Sequence, residues 1–447
     1  MRTHNARKTT VVRGGLVALV IGGLWVGISP RNGGAEPEAS TNTKRPAAAA
    51  PSAGLTPYSS QADHLWNRLH QALFVRVDAL GAKRVHATDP LLYRGGTFLL
   101  EGEPHRRALA VLDEFLAAPP DRTSGDTRKR LFLQRDLWAG FDYAAWYPDE
   151  WVFRSRHEPA AIALRGRLAK SIGRLALDTR EIDDLPDNYA QAVKSKAFPA
   201  AHDPKHPERP FLPADLFDAA GPWVRFHETT ARPMAERHFD GAGGRAAHVI
   251  FLRLPGGRSA TESYLKELRR DPIRPFPVGT MVAMVRRALA VDRAAKVRVT
   301  PVTELVQIRV YRRIPEDRDA PRNHGDFGEQ DVYEFLLDRS ALFAGRHGLR
   351  AVERDEATAP FERSEGDPLI TKDAGSRLVA ATQLKSCIQC HQAPGIFSVL
   401  SMQRGLREAN YESFRTYAWD VELNYTVRAK TQRFDWGLLQ GLLEAER

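Results

Sequence analysis

Prolines 186, 199, 204, 207, 210 and 213 interrupt the middle of the chain, and the hydrophobic period changes across them. Proline fixes φ and removes a donor, so a stretch this rich in it cannot carry long regular elements. Before it, apolar residues recur at helical spacing. HLWNRLHQALFVRVDAL (64–80) does so, as does PHRRALAVLDEFLAA from Pro104, where proline suits a helix start. RLFLQRDLWAGFDYAAWYPDEW places Leu133, Leu137, Phe141 and Ala145 at i, i+4 steps, and 158–176 reads as a further helix.

After the prolines the period is two. PWVRFH (222–227), HVIFLRLP (248–255), GTMVAMVRRALAV (279–291), ELVQIRVYRRI (304–314) and DVYEFLLD (331–338) read as strands. In the fourth, Val306, Ile308 and Val310 alternate with Gln307, Arg309 and Tyr311, the pattern of a strand with one face in water. One helix, ATESYLKELRR (260–270), interrupts the run. Strands that follow one another with few helical crossovers predict a mostly antiparallel sheet, hence an α+β fold. The last 35 or so residues turn helical again, with Phe434, Leu438 and Leu442 on one face.

The expected organisation is a signal peptide or membrane anchor (1–30), a linker (31–56), a helical unit (57–185), a proline-rich connector (186–220), a β-rich region (221–350) and a C-terminal segment (351–447). Arg2, Arg7, Lys8 and Arg13 precede the apolar run Gly15–Ile28, which is shorter than the ~20 residues of a membrane span and suits a signal h-region. Gly33-Gly34-Ala35 is a passable cleavage site. Export is expected, to the periplasm or the outer side of the cytoplasmic membrane, with the segment either cleaved or kept as an anchor. The net charge of +10 comes from arginine dispersed along the chain, with no clustered basic face for nucleic acid. P-loop, G-x-G-x-x-G, G-x-S-x-G and H-E-x-x-H motifs are absent from the sequence.

The only two cysteines, Cys387 and Cys390, stand in CIQCH, directly before His391. C-x-x-C-H is the signature of covalent haem attachment. Thiols three residues apart reach the two vinyl groups on one porphyrin edge, and the adjacent histidine turns under the iron. Cys387 and Cys390 would be the thioether anchors of one haem c, and His391 the proximal iron ligand. Three rivals share the spacing. A thioredoxin-like pair expects a βαβ setting early in a domain. A zinc site needs further ligands. A structural disulfide would close a short, strained loop.

The motif and the export signal resemble c-type cytochromes over about twenty residues, from Gln383 to Met402. A β-rich region before the motif, with 56 residues after His391, is similar to the layout of the cytochrome P460 and cytochrome c′-beta group. In P460 members a lysine is also cross-linked to the haem; no lysine here is matched to it. QRDLWAGFDYAAW, FLRLPGGR and CIQCHQAPGIFSV also resemble a large group of exported bacterial proteins, which implies a shared fold and no known activity.

The resemblance implies electron transfer, with a redox partner that the sequence does not identify. The alternative is a haem enzyme or small-ligand sensor with an open distal iron site. Met402, eleven residues beyond His391, is the candidate second ligand for electron transfer, against the commoner use of methionine in a core. His227, His248 and His324 are candidate distal histidines. His202 and His206 have metal-like spacing, but the neighbouring prolines make them loop residues. Trp138, Phe141, Tyr143, Trp146, Tyr147 and Trp151 read either as an aromatic core or as the wall of a haem pocket.

Overall fold

The computed structural model describes residues 56–77, 83–85, 99–119, 126–146, 151–229, 246–268, 277–311, 330–353, 416–419, 427 and 430–446. These residues form an α+β fold. The helices are α1 (Leu65–Phe74), α2 (Gly102–Ala117), α3 (Thr127–Trp146), α4 (Trp151–Arg174), α5 (Thr179–Asp183), α6 (Asn188–Lys194), α7 (Gly257–Leu268), α8 (Arg339–Phe343) and α9 (Phe434–Ala445). The strands are β1 (Val75–Val77), β2 (Lys83–Val85), β3 (Val224–Thr229), β4 (Ala246–Arg253), β5 (Met281–Val291), β6 (Val297–Tyr311), β7 (Gln330–Leu337), β8 (Leu349–Ala351) and β9 (Thr416–Trp419).

The helix expected through 64–80 stops at Phe74, and Val75-Arg76-Val77 pairs antiparallel with β2. Two β-branched residues in three positions favour the strand there. Helix α3 is buried on every side from Arg130 to Ala145, which is why its apolar residues do not form a single stripe. Leu133, Leu137, Phe141 and Ala145 are all inside, in a core shared with α1, α2, α4, α9 and the β5–β6 end of the sheet.

A side chain stitches helix to sheet. The Gln134 amide nitrogen donates to the Val291 carbonyl at 2.8 Å, and the Val291 amide donates to Gln134 Oε1 at 2.8 Å. The carboxamide thus mimics a neighbouring strand at the end of β5. Beyond it, Asp292 Oδ1 accepts from the amides of Ala294 and Lys296 and closes the turn into β6.

The large sheet runs β8-β7-β6-β5-β4-β3-β9, every pair antiparallel. One face, carrying Val249, Phe251, Val285, Val306, Ile308 and Phe335, packs on α6 and the proline-rich stretch through Phe211, Leu212 and Leu216. The other face was expected in water at β6. It is buried instead: every residue from Val302 to Tyr311 is inside, including Gln307, Arg309 and Tyr311.

The C-terminal helix is also turned from its expected orientation. Phe434 and Leu442 are exposed, and Trp436, Leu439 and Leu443 enter the core. The reason is electrostatic as well as apolar: Asp435 sits on the inward side, held by Lys430 and Arg433.

Candidate functional site

Cys387, Cys390, His391, Met402 and His324 lie outside the described residues, as does Tyr147. The strands on either side of the motif are described. Among the described residues, the last strand before it, β8, and the first after it, β9, form the two opposite edges of the sheet. Six inter-strand steps of about 4.8 Å put those edges about 29 Å apart.

The buried polar face of the sheet lies between them. Strand register lines up its side chains in rows. Met284 on β5, Gln307 on β6 and Glu334 on β7 are neighbours in one row. Val282, Arg309 and Val332 are neighbours in the next. His248 on β4 stands beside Arg286 on β5. So one candidate distal histidine, His248, belongs to this face and is buried. His227 lies on β3, paired with Ala418 of β9.

Arg309 is 4% exposed. Its Nη2 donates to Gln307 Oε1 at 2.9 Å, and its Nε to the same oxygen at 3.3 Å. Its Nη1 has no hydrogen-bond partner. The buried Tyr311 hydroxyl is pushed up to about 12 by loss of solvent, with the Arg309 charge pulling the other way.

Sequence reasoning missed this face because alternation of polar and apolar residues is the same whether the polar side meets water or protein. One signal was available. Strand β4, AAHVIFLR, is an almost unbroken apolar run, which marks a strand covered on both sides.

The other predicted residues do separate work. His202 and His206 sit in turns. His202 Nε2 is 3.3 Å from Asp331 Oδ2 and the ring packs near Phe211 and Tyr333, whereas His206 faces Glu208 on the surface. Trp138, Phe141 and Tyr143 are core residues of α3, with Trp138 5.5 Å from the Trp436 ring. Trp146 ends α3 and Trp151 begins α4. Among the described residues no three His, Cys, Asp or Glu side chains converge to hold a metal ion. Among them also, no helix is long and apolar enough to cross a membrane. No protein-family model, no curated protein and no solved structure matches this chain.

Proposed function

We propose that this protein is an exported monohaem c-type protein that transfers electrons at the outer side of the cytoplasmic membrane or in the periplasm. The observation that carries the reading is CIQCH, which uses both cysteines of a 447-residue chain within four positions. Cys387 and Cys390 would hold the haem by thioether bonds and His391 would ligate its iron, with Met402 the candidate sixth ligand. When bound, the haem supplies a one-electron couple.

One feature of the buried sheet face supports this reading. Haem is mostly apolar with two carboxylates at one edge, and Arg309 stands between Val282 and Val332 with Nη1 unsatisfied. The described strands that precede and follow the motif in sequence, β8 and β9, are the two edges of this sheet. Burial of His248 and Arg309 on that face also supports a second reading, a ligand-binding or catalytic haem with an open distal side.

The test is a pyridine haemochrome spectrum of the full chain, exported from a host with haem-attachment machinery. A c-type α band that disappears in Cys387→Ser/Cys390→Ser is expected. Absence of haem in a host that matures a control cytochrome would refute the reading. So would haem in the double variant that survives acid–acetone. Low-spin six-coordinate iron then supports electron transfer, and high-spin five-coordinate iron the open-site reading.

A further inference from the structure

Three arginines are buried among the described residues: Arg130, Arg135 and Arg309. Two of them face carboxylates, Arg130 with Glu181 at 2.6 Å and Arg135 with Glu304 at 2.7 Å. Arg309 is the least exposed of the three. Among the described residues no carboxylate comes within ion-pair distance of it, and its guanidinium donates to the neutral amide of Gln307. Its neighbours along the row are Val282 and Val332, which offer no polar atom. Guanidinium is charged at every pH a folded protein meets, so Arg309 cannot escape burial by losing its proton. A charge is retained in such a place when something completes its pairing.

The geometry also says which side is left. Gln307 Oε1 takes one N–H from Nε and one from Nη2. Both N–H bonds of Nη1 and the second of Nη2 remain, and they form the planar end of the fork that matches two oxygens of one carboxylate. We infer that Arg309, held in place by Gln307, is a buried receptor for a carboxylate group. The carboxylate belongs either to a haem propionate, in which case the inference deepens the haem reading and rests on it, or to a free small carboxylate.

Thermal unfolding of the full chain with acetate as the probe, against chloride at equal ionic strength, tests this. Two forms are compared: haem-free, from a host lacking the attachment machinery, and haem-loaded. With a propionate as the source, acetate raises the midpoint of the haem-free form and leaves the loaded form unmoved. With a free carboxylate as the source, both forms rise. In either case Arg309→Met removes the acetate response, and haem-free Arg309→Met unfolds no earlier than wild type, since a cation without a counter-ion is gone. If Arg309→Met does not fold, Arg309→Lys keeps the charge without the fork and should need about tenfold more acetate for the same shift. The inference is overturned if acetate moves neither form, if the response survives Arg309→Met, or if Arg309→Lys responds at the wild-type concentration. Should the chain take up no haem in any host, the haem reading fails by itself and the haem-free titration still decides the role of Arg309.

Discussion

Arg339 grips Asp136 with both ends of its guanidinium, Nη1 to Oδ2 and Nη2 to Oδ1, each at 2.8 Å. The Tyr58 hydroxyl donates to the same carboxylate at 2.5 Å, and His70 Nδ1 lies 3.5 Å from it. Asp136 is on α3 and Arg339 opens α8, so this cluster ties the helical layer to the turn that follows β7. Burial by itself would raise the Asp136 carboxyl. The Arg339 charge and its two hydrogen bonds, with His70 close by, outweigh it and hold the group well below the usual carboxylate range.

Arg339→Met leaves that carboxylate buried without its cation and should cost about 3–5 kcal/mol, measured by urea unfolding at neutral pH. The sign with pH follows from the depressed folded pKa. The Asp136 contribution is complete above the ordinary aspartate value of about 3.9 and is lost as pH falls below it towards the folded value. Wild type should therefore lose more stability than Arg339→Met between about pH 5 and pH 2. Parallel losses in the two proteins would show that Asp136 is not the group responsible.

Gln134→Ala should cost about 2–4 kcal/mol, because it strands the buried Val291 amide and carbonyl that the carboxamide now satisfies. The same substitution should speed hydrogen exchange at the Val291 amide. An unchanged exchange rate there would mean that the stitch contributes nothing to joining α3 and β5.

Lys430 lies between two buried carboxylates, 2.6 Å from Asp435 Oδ2 and 3.4 Å from both Asp142 oxygens, with its ammonium 5.1 Å from the Trp138 ring. Burial raises the Asp435 carboxyl, and the charges of Lys430 and Arg433 more than reverse that, leaving it low. Lys430→Met should cost about 3–5 kcal/mol and loosen α9, read as faster proteolysis within 434–446. Adding Asp435→Asn should restore part of the loss; a double variant as unstable as the sum of the singles would argue against a shared network.

Met402→Ala tests the sixth ligand of the proposed haem. In haem-loaded protein it should abolish the red absorption band of methionine ligation and lower the reduction potential, since a thioether axial ligand raises it. A spectrum and potential identical to wild type would remove Met402 from the coordination sphere.

Much of the fold was legible from spacing alone. The i, i+4 series through Leu133, Leu137 and Phe141 marks α3, and the alternation through Val306, Ile308 and Val310 marks β6, because backbone geometry imposes those periods on any buried face. The prolines between 186 and 213 separate the two regimes, leaving room there only for the seven-residue α6. The paired thiols and histidine of CIQCH suggest haem attachment by their spacing, and that reading rests on the sequence alone.

What lay beyond the sequence is everything set by a partner in space. Gln307, Arg309 and Tyr311 read as a wet face because polarity alternates in the same way on a covered strand; burial is decided by what packs above it. Phe434 and Leu442 point outward because the Lys430–Asp435 contact turns α9, and a charge pair of that kind has no periodic signature. The sheet order is likewise a tertiary fact. It puts β8 and β9 on opposite edges and Arg309 between two valines, since register, which aligns residues distant in sequence, is fixed only when strands meet. The sequence by itself determined the main helical and strand periods and the spacing of its two cysteines; the tertiary structure decided which polar side chains were taken out of water, and a buried charge acquires its meaning only from the neighbours it is given.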